Sequence, residues 1–302
     1  MGLLVVGSIG LDDIQTPFDK IENALGGSTT YISLAASYFT APVSIVGVVG
    51  DDFSKNHIQM LEDHHIDIEG LQIIEGGKTF RYGCKYNYDL NNRESLFTHL
   101  NVFEKFNPII PEKNKKDKFV LLGNIAPQLQ MNVLDQLNEP RFIVCDTMNF
   151  WIDGAFDDLM KVLKRVHVLI INDSEARLLS KEPNLIKAAK IITDMGPKYL
   201  IIKKGEHGAL LFGDNTIFSA PAYPMENIYD PTGAGDAFAG GFTGYLHKNL
   251  ELSFDNMKRA VIYGSIMASF CVEKFSTKGL ENLSWLEIKN RFIEFQNLSS
   301  FD

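Results

Sequence analysis

What the chain has little of narrows its chemistry first. Three cysteines, Cys84, Cys145 and Cys271, stand far apart in 302 residues and are odd in number. That argues against a disulfide framework and makes a reducing cytoplasm the expected compartment. No C-x-x-C occurs and the seven histidines form no H-E-x-x-H, so no zinc site is expected. No run approaches the ~20 apolar residues of a membrane helix. The opening MGLLVVGSIG lacks a basic n-region, and its apolar run is too short for a signal peptide. Positive charge is also scarce. With 29 Lys and Arg against 38 Asp and Glu, the formal net charge is -9, and like charge clusters only in the short EKNKKDK at 112–118. Nucleic acid and anionic membrane are therefore disfavoured as main partners.

Apolar material, at 45%, is ample for a large core. Short apolar runs at 3–7, 44–50, 119–124, 142–146, 168–172 and 199–205 read as strands buried on both faces. Helical stretches fall between them, at 28–39, 54–64, 127–137, 155–165, 174–180 and 184–195. Three more, at 236–248, 255–272 and 284–296, end the chain. The alternation predicts an α/β fold with a mainly parallel sheet and helices on both faces. Residues 66–100 break the rhythm. There TFRYGCKYNYD alternates with period two, Phe80, Tyr82, Cys84, Tyr86 and Tyr88 on one side, which predicts a small antiparallel sheet with one apolar face. It serves either as a lid over a cleft or as a sheet extension or dimer surface.

Phosphate motifs of the commonest kinds fail. GGKT at 76–79 has Gln72 where a P-loop needs its first glycine, and GSIGLD at 7–12 does not fit G-x-G-x-x-G. Five short segments remain, all near strand ends or helix starts, where open α/β sheets bind ligands. Asp12 follows the first strand and can accept hydrogen bonds from hydroxyls, or is a plain turn residue. GGSTTY at 26–31 enters a helix with paired glycines and a capping Ser28. NDSE at 172–175 puts Asn172 and Glu175 on one face, suited to water-mediated magnesium or to a capping box. KKGEHG at 203–208 allows a nucleotide to lie against the main chain, or is a tight turn. In DPTGAGDAFAGGF, Gly233, Ala234 and Gly235 lead into a helix whose amides would form an anion hollow, with Asp236 set among them.

Taken together, these segments resemble the PfkB/ribokinase family of carbohydrate kinases along essentially the whole chain. DPTGAGDAFAGGF looks like its second signature, and GGSTTYISLAASYFTAPVSIVGVVGDD is similar to its first. The resemblance implies a Rossmann-like, ribokinase-like fold: one kinase domain over 1–302, with an inserted β-sheet lid formed mainly by about 66–100 and in part by 11–20. It implies an ATP-dependent phosphotransferase acting on a hydroxyl of a sugar. The alternatives are a nucleoside kinase or a ligand-binding relative without activity. It also implies Mg2+, in many members K+, and a small hydroxylated substrate, with the lid edge suggesting a homodimer. By the same resemblance Asp236 is the base and Gly233, Ala234 and Gly235 the anion hole. Asn172, Lys204, Gly205, Gly208 and Thr232 then lie on the nucleotide side, and Asn172 and Glu175 hold Mg2+ through water. Asp12, Gly26, Gly27, Tyr31, Phe80, Tyr82 and Asn124 lie on the acceptor side with Asp236. Gly10 and Tyr31 stand where ribose kinases usually carry asparagine, so ribose itself is disfavoured.

Overall fold

A computed structural model describes residues 2–300. Its strands are β1 (Leu3–Val6), β2 (Gly10–Gln15), β3 (Lys20–Gly26), β4 (Val43–Gly50), β5 (Ile66–Ile74), β6 (Phe80–Tyr86) and β7 (Arg93–His99). They continue with β8 (Phe119–Leu122), β9 (Phe142–Asp146), β10 (Val168–Asn172), β11 (Tyr199–Lys203), β12 (Ala209–Gly213) and β13 (Thr216–Ala220). The helices are α1 (Ser28–Ser37), α2 (Lys55–Asp63), α3 (Pro127–Gln136), α4 (Asn149–Gly154) and α5 (Phe156–Leu163). After them come α6 (Asp173–Ser180), α7 (Leu185–Asp194), α8 (Ala234–Asn249), α9 (Phe254–Cys271) and α10 (Trp285–Ser299).

Nine strands form one sheet in the order β13-β12-β11-β10-β9-β8-β1-β4-β5. The seven from β11 to β5 run parallel, and β12 and β13 close one edge antiparallel. Alternate side chains feed two cores, because successive residues of a strand point to opposite faces. Leu3, Val5, Phe119 and Leu121 pack with α1, α8 and α9, while Leu4, Val6, Val120 and Leu122 pack with α3, α5 and α7. Burial on both faces explains why these strands are continuous apolar runs. The β12–β13 hairpin was not read from the sequence, although its turn carries a signal: Asp214 and Asn215 both have positive φ, 47° and 58°.

A second sheet has the order β3-β2-β6-β7. Its outer pairs are antiparallel, and the central β2–β6 pair is parallel. The expected extent of the lid, mainly 66–100, needs correction. Ile66–Ile74 pairs in parallel with β4 inside the main sheet, and the lid is completed by Gly10–Gly26. The sequence signal was weak there because Asp12 and Asp13 interrupt β2 with two residues of low strand propensity. Ile14, Cys84 and Tyr86 form a small buried cluster of their own beneath this sheet. In β6 the period-two face is clearest at its end, where Cys84 and Tyr86 are buried and Lys85 between them is exposed, while Phe80, Arg81 and Tyr82 are all half-buried.

Candidate active site

The residues singled out from the sequence gather above the carboxyl ends of the parallel strands. Strand register explains part of the grouping. Asn172 pairs with Lys203, and Ile170, two residues before Asn172, pairs with Asp146. Asp146, Asn172 and Lys203 therefore project from the same face at three neighbouring strand ends.

Gly233 precedes α8 with φ 77°, a left-handed turn that suits glycine, and no side chain caps the helix. Added bulk at Gly233 would also meet the ring of Tyr31. Ala234, expected to offer its amide to an anion, donates it to Pro231 O at 3.2 Å instead. The amides of Gly235 and Asp236, in the first turn, have no intrahelical acceptor and sit at the positive end of the helix. Asp236 is half-buried, and its carboxyl is pushed up to about 7, by burial first and then by Asp146, while Lys203 and Arg93 pull it down. Asp230 anchors the loop: its two oxygens accept from Thr232 N at 2.9 Å and Ser276 N at 3.0 Å.

On the acceptor side, Asp12 is buried and its carboxyl is also pushed up to about 7, by burial and then by Asp230, with Arg93 opposing. Its carboxylate fills the space beside Gly26 that a side chain would need. Gly27, at φ 90°, packs its backbone against Ser8, Ile9 and Gly10. Tyr31 is wholly buried, with a phenol oxygen that has no hydrogen-bond partner. So buried a ring has no free face for stacking on a base. Phe80 packs against Gly10 and Phe103, and Tyr82 bonds Ser95 through its hydroxyl at 2.9 Å. Asn124 has its amide occupied, donating to Met148 Sδ at 3.0 Å and accepting from Trp151 Nε1 at 2.9 Å.

On the nucleotide side, Asn172 and Glu175 form the capping box that was the plainer of their two readings. Asn172 Oδ1 accepts from Glu175 N and Glu175 Oε2 accepts from Asn172 N, both at 2.8 Å. The box uses Oε2 of Glu175; the carboxyl as a whole is raised to about 7, by burial and then by Asp146. Gly205 and Gly208 both have positive φ, 55° and 82°, in the turn joining β11 to β12, and Lys204 closes that turn with N–H to Gly208 O at 2.7 Å. The lid reaches both parts: Asn91 donates to Glu206 at 3.4 Å, and Tyr86 and Thr232 share a hydroxyl hydrogen bond of 3.1 Å. Thr232 thus meets the lid through its side chain.

Three charged residues escaped the sequence reading. Lys203 is mostly buried with Nζ 3.8 Å from Asp146 Oδ1. Burial opposes its charge, yet Asp146, Glu175 and Asp236 outweigh that and keep it protonated above its ordinary range. Asp146 Oδ1 has no hydrogen-bond partner, and burial raises this carboxyl despite the lysine. Arg93 projects from the lid over the Tyr82 ring, 5.6 Å from its centroid. The position of Lys203 and Asp146 at strand ends was the available signal.

With this geometry in place, the chain can be set beside known proteins. Residues 5–282 match the model of the pfkB family carbohydrate kinases. The chain belongs to the pfkB family. This pfkB kinase is 31% identical over 247 residues to a cytidine kinase of Thermococcus kodakarensis, covering 80% of this chain and 87% of that one. Its fold matches the Methanocaldococcus jannaschii nucleoside kinase with TM-score 0.78 at 18% identity, covering 97% and 98% of the two chains. A putative ribokinase II of E. coli in complex with ATP and Mg2+ matches with TM-score 0.77 at 20% identity, covering 97% and 98%. The pfkB kinase is therefore an ATP-dependent phosphotransferase with a hydroxyl acceptor, of the sugar and nucleoside kinase class.

Proposed function

We propose that this kinase transfers the γ-phosphoryl group of ATP to a ribose hydroxyl of a nucleoside. The observation that carries the reading is the juxtaposition of Asp236 with the uncapped N-terminus of α8, facing a second carboxyl, Asp12, that Gly26 makes room for. Phosphoryl transfer asks for positioning and charge stabilisation more than covalent chemistry. Asp12 accepts a hydrogen bond from one acceptor hydroxyl. Asp236 takes the proton of the attacking hydroxyl, and the amides of Gly235 and Asp236 stabilise charge on the phosphoryl oxygens. The lid, tied to the signature loop through Tyr86 and Thr232, excludes water.

The donor set suits magnesium. Asn172, Glu175 and the orphaned oxygen of Asp146 are hard oxygen donors at adjacent strand ends. Among the described residues no three acidic, His or Cys side chains converge into a complete cage. Magnesium commonly keeps its waters and binds through one or two carboxylates plus phosphates, so these residues would hold it through water. When bound, it neutralises phosphate charge.

A nucleoside is favoured over a free sugar by the similarity to the cytidine kinase and by Gly10 and Tyr31, which leave out the amide side chains that ribose kinases usually place there. The test is ADP release with cytidine, uridine, adenosine, inosine, ribose and fructose 6-phosphate as acceptors. At least one nucleoside is expected to exceed ribose by about tenfold in kcat/KM, a difference of roughly 1.4 kcal/mol. Faster turnover of either sugar would overturn the nucleoside reading.

A further inference from the structure

Gly235 poses a question that backbone conformation does not answer. Gly233 needs its left-handed φ, but Gly235 lies in the first turn of α8 without one. What fills the space where its Cβ would be is Lys203: Nζ is 2.7 Å from that point, Cε 3.6 Å and Cδ 3.9 Å. The lysine therefore reaches from the end of β11 across to the mouth of the helix, against the residue whose free amide faces an incoming phosphate. Its carboxylate neighbour Asp146 is 3.8 Å away, longer than a good charge-assisted hydrogen bond, and leaves that oxygen unpartnered. A mostly buried ammonium, loosely paired beside an uncapped helix N-terminus, is an anion site with one more donor than the backbone supplies.

We infer that Lys203 is a catalytic residue that contacts the γ-phosphoryl oxygens of ATP, with Asp146 holding its ammonium beside Gly235. The inference rests on reading this site as a phosphoryl-transfer centre. Lys203, rather than its neighbour Lys204, is the cation in question, because consecutive residues at a strand end diverge and Lys204 is drawn into the turn closed at Gly208. A compact, rotatable ammonium suits this place: it follows a phosphate oxygen as the group moves from donor to acceptor, and three N–H donors can serve oxygen and carboxylate together. The bond from the β-bridging oxygen to the γ-phosphorus breaks as the acceptor oxygen bonds to that phosphorus. The acceptor's proton goes to Asp236, and Lys203 keeps its own proton throughout. Glycine at 235 is then a steric requirement of the lysine.

The contact is specific to the γ-phosphate, so the decisive measurement needs no acceptor. Calorimetric titration of the full chain with Mg·ATP and Mg·ADP gives the ratio of their affinities for wild type and for Lys203→Met. The variant is expected to lose about tenfold in ATP affinity relative to ADP and, with a working acceptor, roughly 10²-fold in kcat. The double variant Lys203→Met/Asp146→Asn removes the carboxyl left unpaired and is expected to show the same ATP-selective loss. It decides the matter if the single variant fails to fold. An unchanged ATP-to-ADP ratio in a folded variant, equal weakening of both nucleotides, or a wild type that binds neither would overturn the inference. If wild type consumes none of the acceptors tested, the nucleoside reading falls while the nucleotide ratio still decides the role of Lys203.

Discussion

The carboxylate of Asp12 stands in the place that a side chain on Gly26 would take, so the entry to α1 has glycine at 26 for the sake of an acid. The two residues lie diagonally across β2 and β3, where Asp12 pairs with Ala24 and Gly26 pairs with Gly10. Gly26→Ala is therefore expected to displace Asp12 without touching the nucleotide side. A misplacement on the order of 1 Å can cost about 10²-fold. The expected outcome is a fall of roughly 10–10² in kcat/KM for the acceptor, with ATP affinity unchanged by titration. Equal losses for acceptor and ATP would place the damage in the fold and not in Asp12.

Asp236 carries the sharpest mutational prediction. Asp236→Asn keeps the shape and removes the base, so turnover is expected to fall by about 10²–10⁴. Nucleotide binding is expected to persist, because the amides at the start of α8 remain. Steady-state kinetics with parallel ATP titration checks both statements, and wild-type-like turnover would remove Asp236 from its role.

The parallel sheet was legible because strands buried on both faces are written as unbroken apolar runs, and the helices between them keep their own spacing. The lid was half legible. Tyr82, Cys84 and Tyr86 alternate, but β2 hides behind Asp12 and Asp13, and β5 is as long and mixed as a lid strand although it extends the main sheet. At the site, residue type singled out the signature loop but left Asp12 open between a hydroxyl acceptor and a turn residue, and the family resemblance supplied their roles. Lys203 could not: KKG offers two adjacent lysines, and only the register of β10 with β11 decides which one shares a face with Asn172. Tyr31 misled for a related reason, since an aromatic beside a glycine pair can face a ligand or bury against Gly233, and packing chose the second.

The pH dependence of the rate follows from Asp236. A base must be deprotonated to act, and burial with the neighbouring Asp146 raises this carboxyl to about 7. The kcat/KM for the acceptor is expected to climb close to tenfold per pH unit below that value and to level above it. Lys203 and Arg93 pull the same carboxyl down. Lys203→Met or Arg93→Met is therefore expected to move the acid limb to higher pH, and a limb that stays put would detach these cations from Asp236.

Stability should run against activity along the same axis. Asp12, Glu175 and Asp236 each rise to about 7 in the folded chain, with burial the largest cause for each. In the unfolded chain they return to about 4, the ordinary carboxylate range. Between those limits the folded protein binds more protons than the unfolded one, so these groups contribute stability that is fully present below about 4 and is lost as pH rises through about 7. Asp236 repels Asp12 and is itself raised by Glu175 and Asp146, so ionising these acids together at neutral pH concentrates negative charge around Asp236. Replacing one with its neutral isostere relieves that charge where the wild type suffers it. Asp236→Asn is therefore expected to raise the Tm at pH 8 by one to two degrees and to leave it nearly unchanged at pH 5, a shift of about 1 kcal/mol amounting to roughly 1.6 °C at about 2.1 cal/mol/K per residue. Thermal unfolding of wild type and variant at the two pH values measures it directly. A variant destabilised at pH 8 would mean that Asp236 is held by favourable contacts in the fold, which contradicts a carboxyl kept reactive by its surroundings.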